Sequence, residues 1–174
     1  MKRWFVLFVQ TGKEKEIADK LSPLLEHVST HPIVPRKEQV FKKMGKSIRE
    51  ERISFPGYVF LQSELSGKEF IRTSYQAVKK LKGVYKLLNY GSFEDIEVSE
   101  GESYILWRLC CDGLIELSAG VIEGDKVRIT SGPLSGIESI IHKINRHKRE
   151  AIVEIPLFGH THTMALPLEI VSKC

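Results

Sequence analysis

Three cysteines are too few, and too awkwardly placed, to staple a fold. Cys110 and Cys111 are adjacent within a helical pattern and Cys174 is the last residue. They read as reduced thiols, two of them partly buried on a helix. Long apolar runs are missing as well. Nowhere do about 18 apolar residues follow one another, which excludes a spanning helix. The opening run Trp4 to Val9 is too short for a signal-peptide core, and the polar stretch Gln10-Thr11-Gly12-Lys13 ends it. A cytoplasmic protein with no membrane partner is expected. Catalytic signatures are equally scarce. Gly132-Pro133-Leu134-Ser135-Gly136 lacks the Lys-Ser/Thr pair that a phosphate-binding loop needs. His160-Thr161-His162 offers two imidazoles but no nearby third ligand. No enzyme, cofactor or metal site is expected.

What the chain does have is positive charge in clusters. The 174 residues include 26 Lys and Arg against 22 Asp and Glu, a net charge of only +4. Between Arg36 and Arg52, however, seven cations face three acids. A second cluster runs from His142 to Arg149 with no acid before Glu150. Two basic loops suit a polyanionic partner, with solvated loops as the other reading.

The periodicity predicts an α+β chain in two parts. Trp4 to Val9 is a central strand buried on both faces. Ile17, Leu21, Leu24, Leu25 and Val28 give a helix from Lys13 to Val28, which Pro23 should kink. Two basic strands flank Met44-Gly45-Lys46 as a β-hairpin. A strand follows from Phe55 to about Gln62, behind the Pro56-Gly57 turn. Gly67 to Ala77 reads as a helix and Val84 to Leu88 as a strand. Ser99 and Glu102 fit a capping box that opens a helix ending near Gly113. Helices thus pack on a mostly antiparallel sheet in residues 1–113. Residues 114–120, with Ser, Ala and Gly, suit a linker. Residues 121–174 carry five short strands, which read as a small barrel.

Glu123-Gly124-Asp125-Lys126-Val127-Arg128-Ile129 with Ser131-Gly132-Pro133-Leu134 resembles a KOW motif. Val153 to His160 resembles the loop and strand that close such an SH3-like barrel in the NusG family of transcription factors. Arg3-Trp4-Phe5-Val6 and Phe55-Pro56-Gly57-Tyr58-Val59 resemble the two signatures of that family's N-terminal NGN domain. One departure stands out: Ser139 lies where the KOW pattern has glycine. The resemblance implies an NGN domain that binds the clamp helices of RNA polymerase through an apolar depression. Trp4, Phe8, Phe55 and Tyr58 match that depression; Phe8, Phe55 and Tyr58 are the implied contacts and Trp4 packing. Arg72, Thr73 and Ser74 match a second polymerase contact, at the gate loop. Phe158 matches the position where the family's barrel meets ribosomal protein S10.

Within the family the chain is most similar to LoaP, a specialised branch of antiterminators recruited by an RNA hairpin. The residues implied for a nascent RNA hairpin are Lys143, Arg146, His147, Lys148 and Arg149, with Lys126 and Arg128. Lys42, Lys43, Lys46 and Arg49 are a secondary nucleic-acid contact. Basic side chains on a β-turn can neutralise phosphates across the narrow major groove of an A-form duplex. The alternatives are a general elongation factor that couples polymerase to S10 or Rho, or a structural RNA-binding protein of the ribosome. A monomer is expected. Gly and Pro punctuate the C-terminal part and Val and Ile dominate its periodic positions, so strands rather than a helical refolded form are predicted.

Overall fold

The computed structural model describes residues 2–110 and 112–173. In chain order the elements are β1 (Arg3–Val9), α1 (Glu14–Leu25), β2 (Thr30–Ile33), β3 (Arg36–Lys43), β4 (Lys46–Ile53), β5 (Tyr58–Ser63), α2 (Gly67–Thr73), α3 (Tyr75–Lys79) and β6 (Val84–Leu87). They continue with α4 (Glu100–Cys110), β7 (Leu114–Ile115), β8 (Ser118–Glu123), β9 (Lys126–Ser131), β10 (Ile141–Asn145), β11 (Glu150–Leu157) and β12 (His160–Lys173). The chain is thus α+β, as predicted. It divides into two compact units: residues 1–35 with 55–103, and residues 36–54 with 104–174.

The first unit is a four-stranded sheet in the order β2-β5-β1-β6, with β1 antiparallel to both neighbours. Strand alternation sends Phe5, Leu7 and Val9 to one face, where they bury against Ile17, Leu21 and Leu25 of α1 and Phe70 of α2. The Phe5 and Phe70 rings lie 4.7 Å apart. Trp4, Phe60 and Phe8 take the opposite face. Pro23 stays inside α1, in its last turn; a 3₁₀ turn at Glu26–Val28 follows, and Ser29 at φ 49° ends it.

Three local expectations need correction. The strand after the Pro56-Gly57 turn begins at Tyr58, because Ser54 to Gly57 form the turn itself, with Gly57 at φ 85°. The single helix expected over 67–77 is two, broken at Ser74, whose φ of −130° leaves the helical range. The reciprocal arm of the Ser99 box is relayed. The Glu102 amide donates to Ser99 Oγ (3.4 Å), but the Ser99 amide donates to the Tyr90 hydroxyl, which donates to the Glu102 carboxylate. Burial, then the Glu102 contact, raise the Tyr90 pKa, so the phenol stays protonated as the donor. A complete capping box forms instead at Ser66 and Glu69, opening α2.

The second unit holds a five-stranded sheet in the order β10-β11-β12-β8-β9 and a three-stranded sheet β4-β3-β7. β12 is long because it serves two neighbours. Its first half pairs antiparallel with β11 and its second half parallel with β8. In β11, Ala151, Val153, Ile155 and Leu157 point inward in strict alternation. From Ser118 to Lys173 the regular structure is strand, apart from a 3₁₀ turn at Glu138–Ile140 that includes Ser139.

The stretch 114–120, expected as a linker, is mostly strand: β7 pairs with β3, and β8 begins at Ser118 inside the five-stranded sheet. The basic hairpin β3–β4, expected within residues 1–113, groups with the C-terminal residues. Lys37 Nζ donates to the Ala165 carbonyl at 2.7 Å, and the Leu117 amide donates to the Glu38 carboxylate at 3.4 Å. Cys110 is a buried thiol, while Cys111 and Cys174 lie outside the described residues.

Candidate nucleic-acid and partner interfaces

The hairpin connection at Met44-Gly45 has positive φ at both residues (53° and 77°), the pair that a two-residue β-turn requires. It thrusts Lys42, Lys43, Lys46 and Arg49 into solvent, all exposed, with Met44 at the tip. The β10–β11 connection, Arg146 to Arg149, is the second basic projection. The Lys148 amide donates to Asn145 Oδ1 at 3.1 Å, the Arg149 amide to the Arg146 carbonyl, and Arg149 adopts φ 51°. The Leu168 amide then anchors on the Arg149 carbonyl at 3.0 Å. The turn's backbone is therefore bonded inward, and its side chains point outward.

These two projections face one groove of about 650 Å³, lined by Gln39, Val40, Phe41, Lys42 and Ser47 on the hairpin side and His147, Lys148, Arg149 and Glu150 on the other. Sequence reasoning treated the clusters as a primary and a secondary contact; the fold brings Lys42 of one and His147, Lys148 and Arg149 of the other to the same groove. Their charges are uncompensated. Among the described residues, Lys42, Lys43, Lys46, Arg49, Lys143, Arg146, Lys148 and Arg149 form no ion pair. The remaining hairpin arginines are neutralised locally, Arg36 by Glu51 and Arg52 by Glu50. Lys37 is half-buried and held by a carbonyl, and burial lowers its pKa; it serves the fold. Lys126 and Arg128 sit apart, on β9 at the opposite end of the strand order from β10, and Arg128 is paired with Glu123.

On the first unit, the exposed aromatic face is Phe8, Tyr58 and Tyr85. Phe8 is 39% exposed, with its ring 5.7 Å from that of Tyr58 and 5.5 Å from that of Tyr85, which is 61% exposed. The structure brings Phe8 and Tyr58 together as expected but corrects Phe55. That ring is 2% exposed and packs on Phe60 at 5.0 Å, because the Pro56-Gly57 turn folds it back onto the sheet. Tyr85 was missed. It stands where the β1–β6 register shifts between Phe8 and Val9, an irregularity that simple alternation cannot foresee.

Arg72 and Thr73 are exposed, but Ser74 is buried at the break between α2 and α3. Phe158 is 7% exposed in the β11–β12 turn, which turns a proposed surface contact into a core residue. Among the described residues no three His, Cys, Asp or Glu side chains gather to hold a metal, and no helix is long and apolar enough to cross a membrane.

The fold is similar to a solved structure of Thermotoga maritima NusG described for its domain interaction, with a TM-score of 0.53 at 19% identity over 96% of this chain and 94% of that one. This architecture defines a two-part α+β protein built on mostly antiparallel sheets. Its lineage is plain from the family model "Transcription termination factor nusG", which matches residues 2–105; the chain belongs to the NusG family. Among curated relatives, the transcription termination/antitermination protein NusG of Xylella fastidiosa (strain Temecula1) is 25% identical over 99% of this chain and all of that protein. That of Escherichia coli (strain K12) is 26% identical over 99% of this chain and 96% of its own.

Proposed function

We propose that this chain is a transcription antitermination and elongation factor of the specialised, LoaP-like kind, recruited by a structured nascent RNA. The carrying observation is the groove lined by Lys42, Lys148 and Arg149, with Lys43, Lys46, Arg49, Lys143 and Arg146, likewise without ion pairs, on the hairpin and the β10–β11 segment that flank it. Cations without protein partners gain most by replacing the counterions of a phosphate backbone. The first unit, an NGN domain in this reading, docks on the clamp helices of RNA polymerase through Phe8, Tyr58 and Tyr85, with Arg72 at a second contact. The rigid sheet holds these rings ready, as an interface core requires. Preferential binding to the elongating state by only about 1.4 kcal/mol shifts its population tenfold. The second unit, whose five-stranded sheet plays the part of the KOW barrel, holds the RNA and so raises the local concentration of the first unit near polymerase. The factor acts as a monomer and performs no bond chemistry. Coupling to S10 through Phe158, the general-factor alternative, is disfavoured by that ring's burial. No observation here favours Rho.

The test is RNA binding by the full chain across salt concentrations, for wild type and a Lys148→Ala, Arg149→Asn double variant. Asparagine is chosen because Arg149 has positive φ, which Asn tolerates. If both side chains contact phosphate, the log–log salt slope falls by roughly 1.5 units. An unchanged slope and affinity would remove the turn from the RNA site.

A further inference from the structure

The groove contains more than phosphate binding needs. β3 pairs with β7 only at Arg36 and Lys37, so among the described residues no strand pairs with that edge from Glu38 to Lys43. Along this stretch Phe41 is a half-buried aromatic lining an open groove, with Gln39 on the same face of β3; Ser47, which pairs with Lys42 in the register, also lines it. Across from it stand Lys148 and Arg149, with Lys42 on the near wall. A volume of about 650 Å³ falls among small-ligand sites and far exceeds what one phosphate fills. A paired A-form stem can offer this groove only its phosphates and sugars, because its bases are stacked and its major groove is too narrow to enter. An unpaired nucleotide can offer a ring face to Phe41, a base edge to Gln39, and flanking phosphates to the cations.

We propose that this groove seats one unpaired RNA base, stacked on Phe41, with its flanking phosphates held by Lys42, Lys148 and Arg149. The inference rests on the RNA-binding reading above and names what that site selects: a loop or bulge rather than the stem. A protein strand added to the β3 edge is the other way to fill the groove, but the cations on both walls favour an anion.

The probes are an RNA stem closed by a randomised loop and a blunt RNA duplex with the same nucleotide count, hence closely matched phosphate charge. Binding of each to the full chain is followed by fluorescence anisotropy. Wild type should prefer the looped RNA about tenfold, within the range that base–aromatic stacking supports. Phe41→Leu, which keeps an apolar side chain in the strand, should bring the looped RNA down to the affinity of the duplex and leave the duplex unchanged. Phe41→Tyr, which keeps the ring face, should restore the preference. Thermal melts of the variants establish that the fold is retained. Equal binding of both probes by wild type, still dependent on Lys148 and Arg149, would overturn the base seat and leave the RNA reading standing. So would a Phe41→Leu variant that keeps its preference for the loop. Absence of binding to either probe would overturn both.

Discussion

Replacing Gly132 by alanine should cost the fold about 3–5 kcal/mol. The residue sits in the turn after β9 with φ 95°, a left-handed conformation that costs an L-residue about 1–2 kcal/mol. Its Cβ would also lie 2.5 Å from Ser118 Cα, 2.6 Å from Ser118 Oγ and 2.8 Å from the Leu117 carbonyl. Carbon atoms rest near 3.5–4.0 Å, and a backbone atom has no rotamer by which to escape. The start of β8 must therefore move. Fully buried Ser118 Oγ, which accepts the Leu134 amide at 3.1 Å, moves with it, and a broken buried hydrogen bond costs about 1–3 kcal/mol. Gly124→Ala is the internal control: φ is 62°, but nothing stands within 4 Å of the added carbon, so only the conformational cost remains, about 1 kcal/mol. Urea unfolding of the full chain, followed at wavelengths that report each unit, measures both. If the two variants lose equal stability, the close approach of the Gly132 turn to β8 is wrong.

Two further predictions separate core from surface and test a titration. Phe55→Ala should cost about 3–5 kcal/mol of stability because its ring is buried, whereas Phe8→Ala should leave the melting temperature nearly unchanged and weaken polymerase binding several-fold. The reverse pattern would restore Phe55 as the contact. His162 is held below the ordinary histidine value by burial and then by His160. On acidification the unfolded chain takes up the proton first, so the neutral imidazole's contribution is complete above about pH 6.5 and falls away toward the lower folded value. His162→Gln should therefore lose less stability than wild type between neutral pH and about pH 5 in urea titrations; equal losses would refute this assignment.

Local chemistry was readable where neighbours in sequence decide the outcome. The central place of β1, the inward face of α1 at Ile17, Leu21 and Leu25, and the Met44-Gly45 turn all follow from short-range pattern, and the structure has each of them; Leu24, expected on the same face, is exposed. Other elements were misread because what decides them lies outside the short motif itself. Ser99 and Glu102 have capping-box spacing, but Tyr90 enters between them. Leu114 to Gly120 is poor in strand formers, yet β3 and β12 recruit it. The Phe55 sequence suits an exposed docking ring as well as a buried one, and only the direction of the turn settles its burial. For the candidate site, both basic clusters were visible as charge, whereas their meeting across a groove depends on contacts spanning more than a hundred residues.

The grouping of β3–β4 with the C-terminal residues also bears on how the protein is made. The chain leaves the first unit after Pro35, supplies the hairpin, and returns at Phe55. During synthesis the hairpin emerges long before Ala165, the acceptor for Lys37, a separation of 128 residues. Contacts so far apart must await loop closure, which slows their formation relative to local pairs. A nascent chain released early would present a charged hairpin with neither β7 nor the 146–149 turn beside it. The groove can therefore form only on a polypeptide carried through Glu150, so products released before that residue would lack it even where the first unit has folded.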